Sequence, residues 1–124
     1  DNRWLLYHLK GEIDLDGGYS NNSIDWFRKA LNLKPRDRSF YLTFVGTVYS
    51  VSNQFREANN YYYQALEFNP NFAPAALGLA NSFEKLDEKE NAIVAYNNFL
   101  KIWKMADENI PGIDIAKNKL KELN

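Results

Sequence analysis

Side-chain catalysis needs a nucleophile beside a base, or two acids that share a pocket. The chain supplies one histidine, His8, and no cysteine. His8 stands among apolar neighbours in LLYHLK and reads as a groove or surface residue with no chemical step, the other reading being a pH-sensitive contact. Asp14, Asp16, Gly17 and Gly18 resemble the start of a calcium loop, but no bidentate glutamate stands at the twelfth position, and turn chemistry accounts for them. Asp87, Glu88, Lys89 and Glu90 read as a solvated mixed-charge turn, and Asn21-Asn22-Ser23 is a glycosylation acceptor that matters only in a secreted chain. These residues predict a chain without enzymatic activity, metal or cofactor.

The elements that carry them follow from composition and period. At 124 residues, 45% hydrophobic and 15% aromatic, the chain is one domain with a real core, and no apolar run approaches the roughly 20 residues of a membrane span. A formal charge of −1 with both signs interspersed gives no basic footprint for a phosphate backbone, so neither nucleic acid nor membrane insertion is expected. The absence of cysteine fits an oxidising or a reducing compartment alike, which leaves localisation open. A start at Asp1 with no signal-like segment suggests a mature product or a part of something longer.

The chain repeats itself. SIDWFRKALNLKP returns 35 residues later as ANNYYYQALEFNP, pairing Phe27 with Tyr62, Ala30 with Ala65, Leu31 with Leu66 and Pro35 with Pro70. A further step of 34 carries Ala58 to Ala92, Tyr62 to Tyr96 and Leu66 to Leu100. Apolar residues at i, i+4, i+7 and i+8 make each copy an amphipathic helix. A second apolar set precedes each copy: Leu42, Val45, Gly46 and Tyr49 in the middle one, and Ala76, Leu79, Ala80 and Phe83 in the last. In the first copy the set is Leu6, Leu9, Lys10 and Ile13, with Tyr7 and Gly11 as an alternative register. The short breakers DGGYS, SVSNQ and LDEKE predict helical hairpins. After a Pro-Gly breaker, Ile113, Ala116, Leu120 and Leu123 share one helical face and predict a cap over the last hairpin.

Over roughly residues 4 to 104 the sequence resembles the tetratricopeptide repeats, most densely in VGTVYSVSNQFREANNYYYQALEFNP, where Val45, Gly46, Tyr49, Phe55, Ala58, Tyr62, Ala65 and Pro70 occupy the signature positions. The resemblance implies an all-α, right-handed superhelical solenoid in one domain over residues 1–124. Its repeats fall at about 4–37, 39–72 and 73–106, with a capping helix at about 110–124. It also implies a non-enzymatic adaptor whose concave groove takes a peptide segment of another protein. Alternatives are a structural or oligomerisation module, with self-association, and the regulatory arm of a longer protein.

Carried over by register, the groove lining comprises Tyr7; Phe40, Thr43, Phe44 and Thr47; and Leu77, Asn81 and Glu84. The alternative is that Phe40 and Phe44 only fill gaps between repeats. Chaperone-binding members grip a terminal carboxylate with lysine, arginine and asparagine at five positions. Here those places hold Tyr7, Gly11, Phe44, Pro74 and Gly78, or His8 and Glu12 for the first two in the alternative register. An apolar or aromatic-rich partner segment is therefore expected in place of a chaperone tail.

Overall fold

A computed structural model describes residues 2–105 and 112–124. Among these residues the chain forms seven α-helices and no strand: α1 (Arg3–Asp16), α2 (Ser20–Leu33), α3 (Arg38–Val51), α4 (Phe55–Phe68), α5 (Ala73–Lys85), α6 (Lys89–Met105) and α7 (Ile113–Leu123). A single 3-10 turn, Pro35–Asp37, leads into α3. The helices pair as α1–α2, α3–α4 and α5–α6, each pair packs on the next, and α7 lies on α6. This is an all-α helical repeat solenoid.

The hairpin turns are closed in the same way three times. Gly18, Asn53 and Asp87 take positive φ, at 84°, 61° and 58°. Glycine adopts that conformation freely, and asparagine and aspartate tolerate it better than other side chains. The following amide reaches back five residues, Tyr19 to the Asp14 carbonyl, Gln54 to Tyr49 and Glu88 to Phe83, at 2.7 to 2.9 Å. The left-handed residue's own amide bonds the carbonyl three residues back. Both bonds satisfy carbonyls that a helix end leaves without partners.

Inside a hairpin, a ring on the second helix lies against a residue of the first helix that has little or no side chain. A Cβ on Gly11 would stand 2.7 Å from the Phe27 ring, and one on Gly46 2.7 Å from the Tyr62 ring. Gly78, in the next hairpin, closes on Tyr62 from the other side at 2.6 Å. Tyr62 is thus held between two glycines of successive first helices. Its neighbours point elsewhere: Tyr61 stacks on Tyr49 and accepts a hydrogen bond from Arg28 of the preceding hairpin, and Tyr63 approaches Phe83 of the following one. Consecutive helical residues stand about 100° apart, which sends three adjacent tyrosines to three surroundings.

These contacts correct the register of the first copy. Gly11, not Lys10, holds the small-residue place of Gly46 and Ala80, and Leu6, Leu9 and Ile13 are exposed, not packed. Both registers give a helical stripe, so period alone does not choose between them. The ring of Phe27 does.

Two clusters of buried residues form the core. One surrounds Phe27, Tyr41, Val45 and Val48, the other Tyr62, Leu79, Tyr96, Phe99 and Ile102, and Leu31, Tyr49 and Tyr61 touch both. Ala116 and Leu120 of α7 belong to the second cluster. α6 is longer than the other second helices, continuing over Phe99 and Ile102 to Met105, where no proline interrupts it. Residues 110 and 111 of the expected cap lie outside the described residues.

Glycine-to-alanine changes inside exposed helices ordinarily stabilise by up to about 1 kcal/mol. Gly46→Ala and Gly78→Ala are each expected to do the opposite, lowering stability by roughly 1–3 kcal/mol through overpacking on Tyr62. Urea denaturation measures the sign, and a stabilised Gly78→Ala would contradict this packing. Deleting residues 107–124 should uncover Phe99 and Ile102 and cause both association and earlier melting, read by light scattering and calorimetry. A truncated chain that is monomeric and equally heat-stable would remove α7 from the role of cap.

Candidate functional site

The first helices α1, α3 and α5 lie side by side, and the side chains they present differ from one end to the other. Toward α1 the face is aromatic. The His8 ring has the rings of Phe27, Phe40, Tyr41 and Phe44 around it at 5.5 to 6.0 Å. Phe40 meets Phe44 edge-on at 4.6 Å and Tyr41 at 5.2 Å. Phe40 is 40% exposed, whereas Phe44 is half-buried and also touches Phe27 at 5.0 Å. Phe44 therefore serves both the surface and the packing between hairpins. His8 Nε2 is 3.3 Å from Glu12 Oε1, and its Nδ1 is buried without a hydrogen-bond partner.

Toward α5 the face is polar. Tyr96 Oη on α6 lies 2.6 Å from Glu84 Oε2 and 2.9 Å from Asn81 Oδ1, and Lys119 Nζ of α7 lies 3.2 Å from Glu84 Oε1. A tyrosine hydroxyl has one proton, and the carboxylate, closer and charged, takes it. The Asn81 amide then fits best with Nδ2 donating to Tyr96 Oη, which turns its carbonyl oxygen to the surface as an acceptor for a partner's N–H. Burial, and next the Glu84 carboxylate, push the Tyr96 phenol well above its ordinary range and keep it protonated. Lys119 is held protonated beside Glu84. A cleft of about 500 Å³ opens here between Ser50, Asn53 and Phe55 on one side and Asn81, Glu84, Lys85 and Lys119 on the other.

Of the residues expected in the groove, Phe40, Phe44, Thr47, Asn81 and Glu84 lie along this face. Thr47 is exposed, donates to the Thr43 carbonyl at 3.0 Å and lies 3.3 Å from Tyr62 Oη. Thr43 is buried, its hydroxyl spent on the Ser39 carbonyl at 2.7 Å. Leu77 packs beneath Gly112, where a Cβ would come within 2.6 Å of its Cδ2. Tyr7 turns toward α2 and stacks on Trp26 at 5.7 Å, so with Gly11 in register His8 and Glu12 take the places assigned to Tyr7 and Gly11. Lys119 and Tyr96 were not expected in the site. No spacing in the sequence links them to Glu84.

A row of helical hairpins with an exposed, mixed aromatic and polar face defines a repeat protein of the interaction type. The tetratricopeptide repeat family model matches residues 6–37. The photosystem I assembly protein Ycf3 of Rippkaea orientalis is 30% identical over 128 residues, spanning 94% of this chain and 73% of that protein. Anaphase-promoting complex subunit 6 of Arabidopsis thaliana is 29% identical over 100 residues, 79% of this chain but only 18% of the subunit. The chain belongs to the tetratricopeptide repeat family. Among solved structures, the TPR2B domain of yeast Sti1 in complex with an Hsp70 peptide superposes with a TM-score of 0.85 over 99% of this chain and 97% of that one, at 14% identity. The first such domain of Spaghetti, bound to the HSP90 peptide SRMEEVD, gives 0.78 over 97% and 91%, at 19% identity. Domains of this family are interaction modules, and no helix among the described residues is long and apolar enough to cross a membrane.

Removing the Tyr96 hydroxyl leaves Glu84 and Asn81 without their shared partner. Tyr96→Phe is expected to cost about 1–2 kcal/mol, and Tyr96→Phe combined with Asn81→Ala less than the sum of the two. Chemical denaturation of the three variants checks this. Strict additivity would show that the groups do not act as one network.

Proposed function

We propose that the chain is a non-enzymatic adaptor, one domain of three repeats and a cap, which holds an apolar or aromatic segment of another protein along α1, α3 and α5. The observation that carries this reading is the half-exposed Phe40, packed on His8 and Phe44, with a separate cleft lined by Asn81 and Glu84 toward the other end of α3. Phe40 and Phe44 form the apolar floor, Thr47 lies between the two ends, and Asn81 and Glu84 fix the partner's backbone. Tyr7, Thr43 and Leu77 support these residues through packing. Two similar solved domains carry chaperone peptides, and the 30% identical relative is named for assembly of photosystem I, both of which favour binding of a protein segment.

A terminal carboxylate does not suit this face. In the register set by Gly11, the five places for carboxylate donors hold His8, Glu12, Phe44, Pro74 and Gly78, with no lysine, arginine or asparagine among them. Glu12 adds a like charge.

Selection from a displayed peptide library is expected to enrich internal segments with aromatic or large aliphatic residues. Phe40→Ala and Asn81→Ala should weaken the selected peptide at least tenfold, about 1.4 kcal/mol, while lowering the melting temperature only modestly, through the ring contacts and the one hydrogen bond that these largely exposed side chains lose. The peptide SRMEEVD should show no binding by calorimetry. Micromolar affinity for it, lost on amidating its C-terminus, would contradict the proposal, as would selected peptides that bind both variants like the parent.

A further inference from the structure

We infer, building on the adaptor reading, that the segment received on this face carries a lysine or arginine whose charge is set beside Glu12. Counted from the small residue, Glu12, Thr47 and Asn81 hold the same place in α1, α3 and α5, directly after Gly11, Gly46 and Ala80. In the second and third hairpins that place meets a hydroxyl from within: Thr47 Oγ1 lies 3.3 Å from Tyr62 Oη, and Asn81 Oδ1 lies 2.9 Å from Tyr96 Oη. The first hairpin has Phe27 where the others have tyrosine, so that hydroxyl is missing beside Glu12. Its carboxylate turns instead to His8 Nε2 at 3.3 Å. His8 Nδ1 is buried without a partner, which suits a neutral ring with its proton on Nε2, and the pair keeps the full charge of the carboxylate.

The two carboxylates differ in what answers them. Glu84, at the polar end, already has Lys119 and the Tyr96 hydroxyl. Glu12 is 48% exposed, and no lysine or arginine among the described residues pairs with it. Lys10 is folded over the Trp26 ring and Lys34 over the Trp4 ring, 4.5 and 4.4 Å from the centroids. The His8 ring that Glu12 touches has Phe44 at 5.5 Å and Phe40 at 6.0 Å, so the unanswered charge stands at the edge of the aromatic floor. An apolar segment laid on that floor draws water away from Glu12, and a carboxylate that loses water without gaining a partner costs free energy. A basic residue in the segment removes this cost. Its apolar stem lies on the exposed part of Phe40, the rings attract its charge, and its head reaches the carboxylate. An acidic residue at the same place meets a like charge.

Synthetic copies of the enriched library peptides, capped at both ends, test this, with lysine, glutamine or glutamate placed at each position in turn and affinity read by fluorescence anisotropy. One position is expected at which lysine binds about tenfold or more tighter than glutamate at about 20 mM salt, the difference shrinking at about 500 mM because the site is half-exposed. In Glu12→Gln the preference should fall to about twofold or less, and in Glu12→Lys it should reverse in favour of glutamate. Glu57→Gln, exposed on α4, should keep it. Peptides that bind with no charge preference at any position, or a preference that survives Glu12→Gln, would overturn this inference and leave the adaptor reading standing. Failure of every peptide to bind the parent chain would overturn both.

Discussion

The contact on which the structure depends is a ring of a second helix pressed onto a residue of a first helix that has almost no side chain. Phe27 lies on Gly11, Tyr62 between Gly46 and Gly78, and Tyr96 is buried in the hairpin that carries Ala80 at the same place. A β-carbon is enough to disturb the first two, so each ring fixes the separation and register of the helices it joins. Full burial of such a ring contributes roughly 1.5–3 kcal/mol, and its position does more than its energy. Tyr62, held from both sides, joins two hairpins at once.

The same contact decides what the row of first helices can present. With their small residues turned to the rings, α3 and α5 carry Phe40, Thr47, Asn81 and Glu84 along the adjoining side to the surface, and α1 sets the mostly buried His8 ring beside Phe40 and Phe44. The rings also reach through to that surface. The Tyr62 hydroxyl lies beside Thr47, and the Tyr96 hydroxyl holds Glu84 and orients Asn81. Core and candidate site therefore share side chains. The aromatic end is stiff because His8, Phe40 and Phe44 pack on one another, and the polar end is stiff because α5, α6 and α7 are hydrogen-bonded through Tyr96, Glu84 and Lys119.

Much of the fold was legible in the sequence because the devices that build it are local. The three turns repeat a left-handed residue at Gly18, Asn53 and Asp87, the second helices repeat an apolar stripe, and the Pro-Gly breaker precedes α7. The register of α1 was not legible. A buried face is identified by what covers it, and no described hairpin covers Leu6, Leu9 and Ile13, which left Lys10 and Gly11 as competing small-residue places. The polar end of the site escaped for another reason: Glu84, Tyr96 and Lys119 come from three helices, and only tertiary packing brings them together. Phe44 was ambiguous between lining a groove and filling a gap because its half-buried ring packs on Phe27 and also touches the exposed Phe40.

The central claim, that the face of the first helices receives a protein segment, is most directly tested by backbone amide NMR during titration with an aromatic-rich peptide. The account predicts shift changes concentrated in α1, α3 and α5, strongest around His8, Phe40, Thr47 and Asn81, with α2, α4 and α6 little affected. Changes centred on the second helices, or on the outer stripe of Leu6 and Ile13, would contradict it.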